Sequence, residues 1–133
     1  MKISDMKEIS ILLVEDNKLN QRLMESSLRR FGFKIEVANN GLEAVEAYQA
    51  KPENFDLIIM DIMMPVMDGL EATRQIRIFE QKDKLHVPII ALTANTFNAD
   101  RERCLSYGMD EYFAKPLNME KLTGAFKDLG IIE

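Results

Sequence analysis

The chain has 133 residues, a length that fits one domain with an ordinary hydrophobic core. Hydrophobic residues make up 47% and charged residues 29% of the chain, a balance typical of a globular protein rather than a disordered or membrane-embedded one. The net charge of -5 and the isoelectric point near 5.0 argue against a broad nucleic-acid surface, because such a surface needs clustered Lys and Arg.

The first half of the chain alternates between strand-like and helix-like segments. Residues 9–14 are apolar and predict a strand, and residues 17–32 have apolar side chains at three- and four-residue spacing, which predicts a helix. The side chains on one face of this helix are Leu23, Met24, Ser27, Leu28 and Phe31. Residues 34–38 alternate charged and apolar, as expected for an edge strand, and a short helix over 41–51 follows.

The second half of the chain continues the same alternation. Residues 55–60 predict a central strand that is buried on both faces, because the segment is apolar apart from Asp56. A helix is predicted over 70–79, a strand over 88–92 and a helix with a thin apolar stripe over 99–106. A short fifth strand is predicted at Glu111–Ala114.

A last helix completes the pattern, with Asn118 as a good N-cap. Five strand–helix pairs in succession predict an α/β fold with a parallel sheet and helices on both of its faces. We expect a single domain over residues 1–133, with its core at about 9–129.

Polar residues stand at the ends of four of the predicted strands. Glu15 and Asp16 follow the first strand, Asp61 the third, Thr93 the fourth and Lys115 the fifth. Because ligands of open parallel sheets bind outside the carboxyl ends of the strands, we expect these side chains to share one crevice. Carboxylates, waters and phosphate oxygens are the ligands that Mg²⁺ prefers, so the three acidic residues are candidate metal ligands.

The same crevice suits phosphoryl transfer. An aspartate can accept a phosphoryl group as an acyl phosphate, although the residues alone leave open which carboxylate does so. Lys115 would balance charge on that group as a compact donor, and the Thr93 hydroxyl would donate to one of its oxygens. Ala94 is small and leaves room for the incoming group.

Four motifs carry a resemblance to a known family. They are LVEDN at residues 13–17, MDIMMPVMDG at 60–69, PIIALTA at 88–94 and FAKP at 113–116. Through these motifs the chain resembles the receiver domain of bacterial two-component response regulators. The resemblance implies a flavodoxin-like, doubly wound (βα)5 fold with a five-stranded parallel sheet in the order 2-1-3-4-5.

The resemblance also implies a chemistry for individual residues. Asp61 would accept a phosphoryl group from a phosphohistidine on a partner histidine kinase or histidine phosphotransfer protein. Asp16 and Asp61 would bind Mg²⁺ or Mn²⁺ directly, with Glu15 acting through a water molecule and Met63 through its backbone carbonyl.

A conformational switch is implied in the same way. Thr93 would move toward the phosphoryl group, and the aromatic ring of Phe113 would turn inward with it. The surface of the fourth helix, fifth strand and fifth helix would then change and could support phosphorylation-dependent self-association. The Lys115–Pro116 peptide bond is expected to be cis, and Met63 and Asn95 occupy positions that tune the attack of water on the phosphoryl group.

The sequences of three segments resemble receivers of hybrid histidine kinases more than other receivers. These segments are residues 67–74, 91–95 and 107–110. Because no effector domain follows Glu133, we expect either a single-domain regulator or a receiver taken from a larger chain.

Two other classes of function compete with a receiver. A phosphohydrolase with an aspartyl intermediate usually carries a second aspartate two residues after its nucleophile, where this chain has Met63. A receiver-like module could instead act by protein contact alone, without phosphoryl chemistry. We expect no enzyme activity beyond self-phosphorylation from a phosphohistidine donor and autodephosphorylation.

The location expected from the sequence is the cytoplasm, without contact of this domain with a membrane or with nucleic acid. Residues 1–10 lack the apolar segment of a secretory signal, and no stretch reaches the roughly 18 apolar residues of a membrane span. The single cysteine, Cys104, cannot form an internal disulfide, and we expect it to be a packing residue. No catalytic role is expected for the lone histidine, His86.

Overall fold

A computed structural model of the chain describes residues 9–94 and 98–132. Its strands, labelled β1 to β5, are Ser10–Val14, Lys34–Ala38, Leu57–Asp61, Ile89–Thr93 and Glu111–Ala114. Its α-helices, labelled α1 to α5, are Lys18–Arg30, Gly41–Ala50, Gly69–Glu80, Asn98–Ser106 and Met119–Asp128. A short 3₁₀ turn at Pro52–Asn54 precedes β3.

The five strands form one parallel sheet in the order β2-β1-β3-β4-β5. This confirms the predicted doubly wound fold and its strand order. Every residue of β3 and β4 is buried, as expected for central strands, whereas β2 alternates between exposed and partly buried residues at the edge of the sheet.

Two apolar layers cover the sheet because successive residues of a strand point to opposite faces. On one face Leu12 and Ile58 pack with Ile76 of α3 in a core that also includes residues of α2 and α4. On the other face Ile59 packs with Phe126 of α5 in a core that also includes α1. The helices are thus divided between the two faces of the sheet.

The predicted inward face of α1 is wrong in one place. Met24 packs against the core and Leu28 is fully buried, but Leu23 is 59% exposed. Each helical residue is turned by about 100° from its neighbour, because a turn holds 3.6 residues. Leu23 therefore lies beside the stripe that runs through Met24, Leu28 and Phe31, and its side chain faces solvent.

Side-chain caps begin the helices that follow the carboxyl ends of the strands. Asn17, Asn40, Asp68 and Asn118 each accept a hydrogen bond from a backbone N–H three residues later, at 2.9–3.1 Å. Such a cap contributes roughly 1 kcal/mol and fixes where the helix starts. The cap predicted at Asn118 is confirmed.

A buried polar network joins α2, α3 and the start of β5 away from these caps. The carboxylate of Glu80 accepts hydrogen bonds from the Tyr48 hydroxyl and the Val87 backbone N–H, both at 2.6 Å, and from Arg77 at 2.5 Å. Arg77 also donates to Asp110 at 2.8 Å. Burial and the neighbouring Glu80 carboxylate raise the pKa of the Tyr48 phenol above its ordinary value.

Other residues noted in the sequence fall into ordinary structural positions. His86 contacts the carboxylate of Asp110 at 2.6 Å, and Cys104 is buried in the core, where burial raises the pKa of its thiol. The Lys115–Pro116 bond is cis, as expected. Within the part of the chain that is described, no helix combines the length and the apolar character that crossing a membrane requires.

Candidate functional site

The polar residues at the ends of the strands converge as predicted. Glu15 follows β1 and Asp61 ends β3, and one carboxylate oxygen from each lies within 4.8 Å of one from Asp16. Glu15 and Asp61 are buried, with 1% and 5% exposure, whereas Asp16 faces solvent. Two carboxylates therefore form the floor of the crevice, and the third stands at its opening.

Lys115 bridges the two buried carboxylates. Its Nζ lies 3.0 Å from Asp61 Oδ2 and 3.2 Å from Glu15 Oε1. Burial alone would lower the pKa of the ammonium, but the hydrogen bond and charge of Asp61, with the charge of Glu15, hold its pKa above the ordinary value. Lys115 is therefore a fixed positive charge beside Asp61.

The charge and the donor atoms of this cluster fit a divalent cation. Three carboxylates and one ammonium leave two negative charges uncompensated in a small volume. The acidic side chains offer only oxygen atoms, which are the ligands that Mg²⁺ and Mn²⁺ take. The carboxylates of Glu15 and Asp61 already accept hydrogen bonds from Lys115, and that of Glu15 also accepts one from the Asn17 backbone N–H at 3.0 Å.

The loop after Asp61 turns sharply and exposes apolar side chains. The Met63 backbone N–H donates to Asp61 Oδ1 at 3.1 Å, and the Met63 side chain is 80% exposed. Val66 has a φ of 68°, a left-handed value that β-branched residues rarely adopt, at the centre of a turn closed by a Met67 N–H to Pro65 carbonyl bond of 2.8 Å. The loop thus positions the Met63 backbone against the Asp61 carboxylate.

Two glycines allow this loop to lie against its neighbours. A Cβ at Gly69 would be 2.4 Å from the Asp61 carbonyl oxygen, and one at Gly41 would be 2.4 Å from the Met67 carbonyl oxygen. The N–H of Gly69 donates to the Ile62 carbonyl at 2.9 Å, and the N–H of Gly41 donates to Met67 at 3.0 Å. These close approaches were not foreseen, because the sequence indicates only a turn and a helix start at residues 68–69.

The two neighbouring aromatic residues of β5 lie on opposite faces of the sheet, and Tyr112 is the one beside Thr93. Thr93 forms a side-chain hydrogen bond with Tyr112, and this bond opposes the rise in the Tyr112 pKa that burial causes. Phe113 packs in the opposite layer, with the core that includes α1 and α5. Neighbouring residues of β5 point to opposite faces, so only one of these two rings can lie on the Thr93 side of the sheet. A switching role for Phe113 stays a prediction.

One buried polar neighbour of Glu15 and Asp16 was missed at the sequence level. Gln21 is buried, with 7% exposure, and its amide donates to the Glu15 backbone carbonyl and to Asn39 Oδ1, the latter at 2.8 Å. The signal was present, since Gln21 extends the inward stripe of Met24 and Leu28 toward the start of α1. A polar residue in such a stripe needs a buried partner. Asn95, also singled out in the sequence, lies outside the described residues.

Comparison with known proteins decides the family. Residues 11–127 match the response regulator receiver domain. The chain belongs to this family. The receiver domain of the Pseudomonas aeruginosa sensor histidine kinase PA1611, solved with a magnesium ion in its active-site cleft, is 42% identical, with a TM-score of 0.79 and coverage of 91% of this chain and 96% of that one.

Two further similarities extend beyond bacteria. The receiver domain of Saccharomyces cerevisiae Ssk1, solved with the histidine phosphotransfer protein Ypd1, is 35% identical, with a TM-score of 0.81 and coverage of 92% of this chain and 89% of that one. The hybrid signal transduction histidine kinase G of Dictyostelium discoideum is 46% identical over 123 residues, which are 91% of this chain and 4% of that protein.

These comparisons confirm the resemblance to receivers of hybrid histidine kinases. The chain spans only 4% to 16% of the length of eight curated histidine kinases that it matches, from plants and Dictyostelium discoideum. The similarity therefore concerns the receiver domain of those proteins, and the bacterial setting expected from the motifs is too narrow.

Proposed function

We propose that this receiver domain is the phosphoacceptor of a two-component phosphorelay, with Asp61 as the residue that is phosphorylated. The donor would be a phosphohistidine on a histidine kinase or a histidine phosphotransfer protein. One observation carries the proposal: Asp61 lies in the three-residue acidic cluster, 3.0 Å from the Lys115 ammonium, and at the end of the central strand β3, next to the strand that ends at Thr93. Glu15 shares the lysine at 3.2 Å, but it follows β1, on the side of β3 away from β4. A phosphoryl group on Asp61 would therefore lie beside the Lys115 ammonium and beside any cation that the acidic cluster holds.

The residues support an in-line transfer. A carboxylate oxygen of Asp61 forms a bond to phosphorus while the phosphorus–nitrogen bond of the phosphohistidine breaks. The imidazole nitrogen keeps the electron pair and takes up a proton, and an acyl phosphate remains on Asp61. Lys115 stays beside the carboxylate and offsets the charge of the phosphoryl oxygens, and the Thr93 hydroxyl can turn to donate to one of them.

A bound Mg²⁺ or Mn²⁺ would neutralise charge on the phosphoryl oxygens as they approach the carboxylates. We propose Asp16 and Asp61 as its direct ligands, with Glu15 acting through water and the Met63 backbone carbonyl as a further ligand. The oxygen-only donor set and the two uncompensated negative charges support this assignment.

For the switch we propose Thr93 and its hydrogen-bonded partner Tyr112 as the coupled pair. Movement of the Thr93 hydroxyl toward the phosphoryl group would break its bond to Tyr112 and free that ring to change position. Phe113, in the next position of β5, would respond through the α5 side of the sheet. The surface formed by α4, β5 and α5 would carry the change, including any phosphorylation-dependent self-association.

The wider setting is also proposed. We place the domain in the cytoplasm, over residues 1–133, without direct nucleic-acid contact, and assign it no turnover of external substrates. Met63 occupies the position where an aspartyl phosphohydrolase would carry its general acid, which favours a receiver over that enzyme class. The co-crystal of a similar yeast receiver with a phosphotransfer protein supports the assigned class of partner.

Intact-mass measurement after incubation with acetyl phosphate and Mg²⁺ tests the proposal. One phosphoryl adduct is expected on the wild type and none on Asp61→Asn or in EDTA. Asp68→Asn is the matched control, because this loop residue is a helix cap that Asn replaces well, and it should accept the adduct normally. An adduct that persists on Asp61→Asn, or steady turnover of p-nitrophenyl phosphate by the wild type, would contradict the assignment.

A further inference from the structure

We propose that Gln21 is a positioning residue which, together with Asn39, sets the affinity of the acidic cluster for its divalent cation. The inference rests on the proposed function, since it concerns the cation that Asp16 and Asp61 would hold. Gln21 is a buried polar side chain in the first turn of α1, and it touches the backbone of Glu15 rather than any carboxylate. Its influence on the site is therefore exerted through the position of the chain.

Both hydrogens of the Gln21 amide are used. One is donated to the Glu15 carbonyl and the other to Asn39 Oδ1 at 2.8 Å. Because the Asn39 amide nitrogen and backbone N–H both donate to Glu43 Oε1 at 3.0 Å, the Asn39 oxygen must face Gln21. Lys18 Nζ donates to the same oxygen at 2.5 Å. We call these four residues, Lys18, Gln21, Asn39 and Glu43, the amide network.

The amide network is anchored at its outer end by a charged group. Hydrogen bonds from the Asn39 backbone and side chain lower the pKa of Glu43, so that its carboxylate stays ionised across the neutral range. An ionised carboxylate accepts hydrogen bonds and cannot donate them, which keeps the Asn39 amide in one orientation. The orientation needed by Gln21 is thus set from α2.

At its inner end the amide network fixes the turn that presents the acidic pair. The Glu15 N–H donates to the Ala38 carbonyl at 3.1 Å, and its Oε2 accepts from the Asn17 N–H at 3.0 Å. The bond from Gln21 to the Glu15 carbonyl adds a constraint on the peptide unit that joins Glu15 to Asp16. This peptide orients the Asp16 side chain, and without that constraint repulsion from the two buried carboxylates would move the Asp16 carboxylate away from the cluster.

Cation affinity should therefore depend on a residue that is not a ligand. A site whose ligands are held in place before binding avoids the loss of conformational freedom on binding, which raises its affinity. Loss of residues that orient metal ligands typically lowers metal affinity by about 10- to 100-fold. Since Asp16 is one of several ligands and the others keep their own contacts, we expect an effect near the lower end, about tenfold.

The test compares two Gln→Met substitutions, which keep chain length and remove the amide. Gln21→Met removes both donors, and Gln75→Met is the control, because the Gln75 amide only contacts Glu71 on α3. Titration calorimetry with Mg²⁺ should give a Kd about tenfold above wild type for Gln21→Met and within about twofold for Gln75→Met. The rate of acetyl phosphate labelling at saturating Mg²⁺ should change less than about twofold, since the reacting residues are intact.

A surface variant keeps the inference testable if Gln21→Met does not fold. Glu43→Ala releases Asn39 from the exposed side of α2, and Glu46→Ala on the same helix is its control. We expect a Mg²⁺ Kd about threefold above wild type for Glu43→Ala alone, together with faster amide exchange of residues 15–17 without metal. Wild-type Kd values in both folded variants would overturn the inference, whereas a wild type that neither binds Mg²⁺ nor forms an adduct would overturn the proposed function itself.

Discussion

The close approach of Gly69 to Asp61 leads to a prediction with an internal control. Two of the helical glycines have opposite surroundings: Gly69 begins α3 and Gly124 lies within α5. A Cβ at Gly69 would meet the Asp61 carbonyl oxygen at 2.4 Å, the Ile62 Cα at 3.0 Å and the Met60 Cγ at 3.1 Å. A Cβ at Gly124 would meet nothing within 4 Å. Comparing Gly→Ala at these two positions therefore isolates the effect of steric contact by the added methyl group.

The two substitutions should change the free energy of unfolding in opposite directions. Ala is favoured over Gly in a helix by about 0.5–1 kcal/mol, so Gly124→Ala should stabilise the protein by about that amount. At Gly69 the same gain is opposed by overpacking, which typically costs about 1–3 kcal/mol and is near the upper end here because two of the three contacted atoms are backbone. We expect Gly69→Ala to be destabilised by about 1–2 kcal/mol, and the two variants to differ by roughly 2–3 kcal/mol.

Urea unfolding at neutral pH measures this difference, and thermal melting should show it as roughly 5–10 °C between the two variants. The carbonyl that must move belongs to the phosphoacceptor, so Gly69→Ala should also slow labelling of Asp61 by acetyl phosphate about tenfold or more. Gly124→Ala should label at the wild-type rate. A Gly69→Ala protein as stable as Gly124→Ala and equally fast in labelling would refute the reasoning.

Three further predictions follow from individual contacts. Tyr48→Phe removes a hydrogen bond to buried Glu80 and should lower the free energy of unfolding by about 1.5–3 kcal/mol at pH 7, measured in urea. The pKa of Tyr48 is higher in the folded than in the unfolded protein, so this contribution to stability is complete below about pH 10, where the unfolded phenol begins to ionise. Above that pH the difference in free energy of unfolding between wild type and variant should shrink. A difference that stays constant would contradict the raised pKa. Lys115→Met should destabilise the metal-free protein by about 2 kcal/mol yet enlarge the rise in Tm that Mg²⁺ produces, and an unchanged Mg²⁺ response would contradict the charge argument. Tyr112→Phe should accept phosphate normally but lose most of the phosphorylation-induced change in amide exchange of α4, whereas Phe113→Leu should retain that change if Thr93 acts through Tyr112.

The fold was predictable because the hydrophobic pattern of a strand indicates whether one or both of its faces are buried. The continuous apolar run before Asp61 belongs to a strand with both faces covered, and the alternating residues of 34–38 belong to an edge. The boundaries of β3 and β4 differ from the predicted ones by at most two residues, and in both strands the polar residue after the apolar run, Asp61 or Thr93, still pairs within the sheet. Strand β1 begins one residue later than predicted. Hydrophobic patterns mark burial, and hydrogen-bonded pairing continues past the last buried apolar side chain.

The location of the acidic cluster was predictable for a different reason. In a parallel sheet all carboxyl ends lie at one edge, so a polar residue after a strand must enter the same crevice as the others. No knowledge of side-chain packing is needed for that step. Assigning a residue of one strand its neighbour in the next strand does require packing, and the aromatic neighbour of Thr93 is Tyr112 rather than the Phe113 named for the switch. The register of β4 and β5 places Leu92 opposite Phe113, and alternation then turns Tyr112 toward the Thr93 side.

Gln21 and Gly69 were overlooked because their roles depend on backbone atoms of distant segments. A helix pattern shows that Gln21 points inward, but its acceptor is a carbonyl in the preceding turn, whose direction only the folded chain defines. The absence of a side chain at Gly69 likewise matters only because α3 starts against the Asp61 carbonyl. Both positions constrain the backbone from which an acidic side chain projects. A phosphoacceptor site can therefore hold its usual reactive residues and still differ in cation affinity and labelling rate, since side-chain identity specifies the chemistry while these backbone contacts set its geometry.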